Sequence, residues 1–472
     1  MHVAAVMLFE AEPLRGASGG VDIRRVREYI GSRLHLIPRY RQKLSYIPFD
    51  RHPVWVDDDR LNLSYHVRHT CLPAPGEIRQ LKRLAARIMS QKLDRGKPLW
   101  EMWVVEGIEG DLCALITKTH HCMIDGVSGV DLMGVLLGQT PDREFPDPPA
   151  WNPEPQPSSL EMIRDELFRR ATTPFSLAGN ALRGLSNPGE LCASVSEMAA
   201  GIRTTLDSGV RRASDTPLNR PIGPHRRFDW QTFDLRDVKT CKNALGGTVN
   251  DVVLATVAGA AGKFLELRGI GERDQQHMDF RVFCPVSVRA ESERGQLGNR
   301  VSGMIVPLPI AERDPAMRLA AIRETTAELK EQNQAMGAEA LTAVSEWTVP
   351  TLLTMAARLA TRSRVYNMIV TNVPGPQVPL YLLGARLLEA FPLVPLFGNQ
   401  ALGIALFSYT GKICWGFNAD WDLLPDLHDF VESLDSSFQE MLDVSHPAPD
   451  IGNTNGARPP QRTRFDVPLG RN

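Results

Sequence analysis

The stretch Lys118–Gly129, KTHHCMIDGVSG, sets two adjacent histidines three residues ahead of an Asp-Gly pair, in a chain that carries eleven histidines in 472 residues. Upstream, LWEMWVVEGIEGDLCALITKTHH (Leu99–His121) predicts strand, Gly-containing turn, strand, with the histidines at the end of the second strand. Downstream, the spacing of Val130, Leu132, Met133, Val135 and Leu136 predicts a helix. The tandem therefore stands on a strand-to-helix turn, where side chains are held rigidly while facing a cleft.

His121 is the candidate general base. An imidazole titrates near neutrality, so a neutral ring can take a proton from a hydroxyl, a contribution of typically ~10²–10⁴-fold in rate. Asp125 lies four residues on, across a sharp turn, and suits pairing with an arginine or with backbone N–H groups that fix the loop. Ser128 has no strained elbow around it and is a poor nucleophile. Gly126 lacks a Cβ, which lets a substrate carbonyl or a pantetheine chain pass close to the backbone. If the strand continues through His120, that residue points to the opposite face and has a structural hydrogen-bonding role. Zinc does not fit, because adjacent histidines on a strand diverge and no third ligand accompanies them.

Composition bounds the rest. The length suggests two domains of roughly 200 residues each. With 43% hydrophobic and 23% charged residues the chain reads as globular, and a net charge of −2 offers no global attraction to nucleic acid. Seven scattered cysteines without a CxxC pair argue against a disulfide framework and for a reducing, cytoplasmic setting. The opening MHVAAVMLFE reads as a strand rather than a signal peptide. Two long uncharged runs, 365–385 and 390–411, are broken by Pro and Gly and read as buried strands, so no transmembrane helix is expected and any membrane contact is peripheral.

These shifts divide the chain into a first lobe over 1–140, a Pro-rich connector with crossover helices over 141–220, a second lobe over 221–444 and a disordered tail over 445–472. In the first lobe Asp22 can cap a helix bearing Val26, Tyr29, Ile30 and Leu34, and a second helix follows Gly76. In the second, GGTVNDVVLATVAGAAGKFLELRG is a helix capped by Thr248 or Asn250, and another starts at Asp314-Pro315. Strand-like segments lie between them, which makes the class α/β.

The HHxxxDG pattern resembles the signature of CoA-dependent acyltransferases related to chloramphenicol acetyltransferase and to peptide-synthetase condensation domains. The surrounding segments, Pro98-Leu99-Trp100, TVNDVVLA with Asn250 and Asp251, CPVSVR ending at Arg289, LGNRVS with Arg300, and TNVPGPQVPLYLLGA, resemble the bacterial wax ester synthase/diacylglycerol acyltransferase family in order from about His2 to about Leu442. Family members usually carry a short segment ahead of the strand with which this chain begins.

The resemblance implies an α/β, two-lobed chloramphenicol acetyltransferase-like fold, each lobe a mixed sheet covered by helices, with a tunnel between the lobes. It also implies an O-acyltransferase that moves a long-chain acyl group from acyl-CoA to diacylglycerol or to a long-chain alcohol, without metal or cofactor, with acyl-CoA as co-substrate. The second histidine, His121, is then the proton acceptor, with His120 and Asp125 beside it and Gly126 at the substrate path. Asn250 is a candidate oxyanion donor or tunnel-lining residue, with helix capping as its ordinary reading. Pro98, Leu99 and Trp100 are substrate contacts or packing anchors, with packing favoured for Trp100. Asp251 secures the helix start or an arginine. Arg289 and Arg300 are partners for Asp125 or for the phosphates of CoA. The protein would dock on the inner face of the membrane or on lipid droplets to reach its acceptor. Two other functions stay open: a condensation-type enzyme using carrier-tethered acyl donors, and a catalytically weak paralogue that binds lipid or acyl-CoA.

Overall fold

The segment His2–Glu10 forms strand β1, buried on both faces along most of its length, as suits a strand inside a sheet rather than at its edge. The structure, a computed structural model, describes residues 2–48, 52–123, 129–166, 168, 212–287, 301–335 and 364–446. After β1 come α1 (Ile23–Arg33), β2 (Gln42–Tyr46), β3 (Pro53–Asp57), the short α2 (Leu63–His66), β4 (Val67–Cys71), α3 (Ile78–Ser90), β5 (Trp100–Ile108), β6 (Leu112–His120) and α4 (Gly129–Leu136). The second half supplies β7 (Arg226–Asp234), α5 (Leu235–Leu245), α6 (Val249–Leu267), α7 (Glu272–Gln275), β8 (Arg281–Ser287), β9 (Val301–Pro307) and α8 (Pro315–Ala335). It continues with β10 (Met368–Pro374), β11 (Tyr381–Leu382), β12 (Ala385–Leu393), β13 (Leu402–Tyr409), β14 (Lys412–Asp420) and α9 (Leu427–Ser445).

The strands make two six-stranded mixed sheets, ordered β11-β12-β1-β6-β5-β4 and β7-β14-β13-β10-β8-β9, with β2 and β3 as a separate hairpin. Helices cover both sheets, which is the two-lobed α/β fold expected. Local chemistry sets the helix starts. Asp22 accepts from the Arg25 N–H (3.1 Å) to begin α1, and Asp314 accepts from the N–H groups of Ala316 and Met317 (2.8 and 2.9 Å) to begin α8, with Pro315 first in the helix. Helix α6 is the core of the second lobe, buried from Asp251 to Leu265 except at Lys263. A Cβ at its Gly259 would stand 2.2 Å from Ser437 Oγ, so the missing side chain is what lets α9 lie against it. No single helix among the described residues is long and apolar enough to cross a membrane.

One boundary differs from the sequence reading. Residues 381–393, assigned by sequence to the second lobe, belong to the first lobe's sheet: β12 pairs antiparallel with β1, from Ala4↔Leu393 to Phe9↔Leu387. Periodicity records that a strand is buried but not which edge it joins, and β1 has an edge left open once β6 occupies the other. The lobes are thereby interlocked, and Trp230 of β7 stacks on Phe391 of β12 (4.7 Å between ring centroids). The β2–β3 hairpin was also not anticipated. The Pro-rich stretch 141–158 is extended and mostly exposed, with the Glu154 N–H on the Asp57 carboxylate (3.0 Å) and Arg41 over the Trp151 ring. Residues 159–166 are helical, whereas the rest of the expected crossover helices and the tail from 447 onward lie outside the described residues.

Candidate active site

Strands β5 and β6 form an antiparallel hairpin in which Trp100 stands opposite Thr119. The tandem sits at the open end of this hairpin: the His120 N–H donates to the Leu99 carbonyl (2.9 Å), so the Pro98-Leu99-Trp100 and His120-His121 segments are brought side by side. Strand β6 stops at His120, and His121 opens a single 3₁₀ turn through Met123. Met123 is buried beneath that turn, while the His121 side chain is exposed.

His120 takes the structural hydrogen bonds. Its Nδ1 accepts from the Cys122 N–H (3.3 Å) and lies 3.0 Å from Cys122 Sγ, which closes the turn. Accepting at Nδ1 assigns the proton of the neutral ring to Nε2. Burial, assisted by the nearby Arg95 and His121, holds this imidazole below its ordinary pKa, so it is neutral at physiological pH. The His2 ring meets it edge-on at 5.7 Å, and burial first, then the neighbouring Lys118 charge, lowers His2 to about 3.

Trp100 is fully buried. Its indole lies between Tyr40 (4.7 Å) and His66 (4.4 Å), and its Nε1–H donates to the Tyr40 carbonyl (2.8 Å). Tyr40 in turn bonds Thr119 through its hydroxyl (2.9 Å). This aromatic stack, with Pro98 and Leu99 also buried, clamps the hairpin end that carries the histidines. Both faces of the Trp100 ring are therefore occupied by protein.

In the second lobe Thr248, not Asn250, caps α6. The Asp251 N–H donates to Thr248 Oγ1 (3.2 Å), and Asp251 Oδ2 accepts from the Thr248 N–H (2.8 Å), a complete capping box. The other Asp251 oxygen accepts from Thr326 of α8 (2.8 Å), so this buried carboxylate is used up in the cap and has no arginine partner among the described residues. Asn250, at the second position of the helix, is half-buried, and its amide has no hydrogen-bond partner among the described residues. Asp125, Gly126, Arg289 and Arg300 lie outside the described residues, as do the walls a tunnel would have where the chain passes Ile124–Ser128.

Sequence reasoning passed over Lys118, which is wholly buried. Its signal was present: a lysine at an inward position of an apolar strand, between Ile116 and His120 on one face, is out of pattern unless it has a task. Among the described residues no cluster of three His, Cys, Asp or Glu side chains is placed to hold a metal.

The sequence profile described as the wax ester synthase/diacylglycerol acyltransferase catalytic domain matches residues 1–253, and that of the WS/DGAT C-terminal domain matches residues 297–442. The chain belongs to the wax ester synthase/diacylglycerol acyltransferase family. Two relatives in this family come from Mycobacterium tuberculosis. One, provisionally named a diacyglycerol O-acyltransferase, is 34% identical over 92% of this chain and 86% of its own. The other, "Probable diacyglycerol O-acyltransferase tgs1", is 31% identical over 88% and 87%. The solved wax ester synthase/diacylglycerol acyltransferase of Marinobacter aquaeolei VT8 is 26% identical, covers 94% of this chain and 95% of its own, and superposes with a TM-score of 0.65. The first condensation domain of the calcium-dependent antibiotic synthetase covers 94% and 91% with a TM-score of 0.56; at 13% identity it shares the fold alone. Acyl transfer is thus the chemistry of this family member, and acyl-CoA and diacylglycerol are substrates that fit the family.

Proposed function

We propose that this acyltransferase moves a long-chain fatty acyl group from acyl-CoA to the hydroxyl of diacylglycerol, of a long-chain alcohol, or of both, with His121 as general base. The observation that carries the reading is the exposed His121 ring on a turn whose strand is clamped by the Trp100 stack and whose closure His120 provides. His121 accepts the acceptor's proton as its oxygen attacks the thioester carbonyl. The C–O bond forms, the C–S bond breaks, and the imidazolium returns the proton to the sulfur, releasing free CoA and an ester. No acyl-enzyme is required.

The tetrahedral oxyanion needs a donor, and the unpartnered amide of Asn250 at the start of α6 supports its assignment to that role. Asp125 would fix the loop by pairing with Arg289 or Arg300. A water-insoluble acceptor calls for peripheral docking at the cytoplasmic membrane face or on lipid droplets.

The test supplies labelled palmitoyl-CoA with diacylglycerol, hexadecanol or a carrier-linked acyl donor, to wild type and to His121→Ala. Lipid ester formed by wild type and reduced ~10²–10⁴-fold in the variant is the expected result. Product from the carrier-linked donor alone would replace the reading with a condensation-type enzyme; tight acyl-CoA binding without product would leave a binding protein.

A further inference from the structure

Lys118 lies two residues ahead of the tandem, on the same face of β6 as His120. Its ammonium donates to two main-chain carbonyls at the end of α3, Ile88 (2.8 Å) and Gln91 (2.6 Å), and to no carboxylate among the described residues. Glu101, directly opposite on β5, directs its oxygens to Trp103 Nε1 (3.0 Å) and Arg68 (3.8 Å). Burial lowers the Lys118 pKa to about 8 against the opposing attraction of Glu101. An enclosed ammonium held by two neutral carbonyls keeps much of its desolvation cost, and an apolar side chain could fill the same space without that cost. Packing alone therefore does not account for a lysine here.

The same helix end is gripped from the other lobe. Ser90 Oγ accepts from the Arg226 N–H (2.9 Å) at the first residue of β7. The last turn of α3 thus joins the strand that carries the histidines to the strand that opens the second lobe's sheet. The groups facing His120 and His2 around this joint are Lys118 on β6, Arg95 after α3, Arg226 on β7, and His121 and Cys122 in the turn, while Glu101 on β5 stands opposite Lys118.

We infer that Lys118 is a positioning residue: through the end of α3 it sets where the His120–His121 turn stands relative to the second lobe, and so where the base meets the reacting groups. The inference rests on His121 being that base. A base displaced by about 1 Å loses on the order of 10²-fold in rate while substrate affinity is retained.

The experiment is Lys118→Met, assayed for kcat and KM on palmitoyl-CoA, with histidine ring titrations followed by NMR. The expected result is a folded variant whose kcat falls about tenfold or more with KM within about twofold, and a His2 midpoint that rises because the neighbouring cation is gone. A folded variant with wild-type kcat overturns the inference. Should Lys118→Met not fold, Ser90→Ala decides, since it removes the acceptor for the second lobe along with the hydroxyl's own bond to the Ala86 carbonyl within α3: kcat must fall with KM held, and wild-type kcat overturns the inference. His121→Ala runs in parallel. Turnover surviving in that variant sinks the base assignment, whereas a dead His121→Ala beside an unaffected Lys118→Met sinks only the positioning role.

Discussion

Trp230 of the second lobe lies flat on Phe391 of β12, ring centroids 4.7 Å apart and planes 9° from parallel, although Phe391 belongs by strand pairing to the first lobe. Both rings are buried, and Lys82 of α3 stands over the Trp230 ring (4.8 Å) while bonding Asp229 next to it. Among the described residues Phe228 and Cys414 join the same buried cluster, so the lobes share an apolar core.

Truncating either ring should cost about 3–5 kcal/mol, because a large buried side chain is lost and the rigid sheets on both sides cannot collapse into the space. Denaturant titration of Trp230→Ala and Phe391→Ala checks this. A loss under about 1 kcal/mol in both would mean that the stack does not join the lobes.

Gly416 tests the same interlock from the backbone. A Cβ there would lie 1.9 Å from the Pro392 carbonyl oxygen, a main-chain atom that cannot swing aside. Gly416→Ala must push β14 away from β12, at a cost of about 1–3 kcal/mol or more. A thermal melt equal to wild type would show that this close approach is absent in solution.

Asn250 separates catalysis from stability. With no hydrogen-bond partner among the described residues, its amide contributes little to the fold, so Asn250→Ala should melt close to wild type. If it donates to the oxyanion, kcat falls by about 10²–10³. Unchanged kcat removes it from that role.

Acid should destabilise the protein. His2, at about 3, and His120 are both held below the ordinary histidine value, chiefly by burial. The unfolded chain then binds more protons once the pH drops below about 6.5, so their contribution is full above that value and is lost as pH falls towards the folded values. His428 has the opposite sign. Its hydrogen bond to Asp229 (3.0 Å) raises its pKa, so its contribution is present below about 6.5 and lost as pH rises through the folded value. The His428 ring is mostly exposed, which weakens the pair by solvent screening. Melting temperature should therefore fall from about pH 7 to pH 5, and His428→Gln should lower it more at about pH 5.5 than at pH 8.5. An equal deficit at both pH values would rule out the pair.

Strand β1, the β5–β6 hairpin and the capped helices α1, α6 and α8 were all legible, because each rests on contacts within a few residues: Asp22 to Arg25, Thr248 to Asp251, Asp314 to Met317. The His120–His121 tandem was legible for the same reason, since its geometry is a strand end followed by a turn. The partner of β1, by contrast, lies 378 to 389 positions away in sequence at β12, from Phe9↔Leu387 to Ala4↔Leu393, and nothing in either segment names the other.

By itself the sequence determined part of the local alphabet of this protein: strand β1, the β5–β6 hairpin, the capped starts of α1, α6 and α8, and the place of the histidine tandem at a strand end. Only tertiary structure decided that Trp100 is enclosed by Tyr40 and His66, that the second oxygen of Asp251 is taken by Thr326 of α8, and that Lys118 reaches across to the end of α3. The reason is physical. Propensity and periodicity act over one turn or one pleat, whereas desolvation and side-chain pairing depend on atoms that distant segments bring into range.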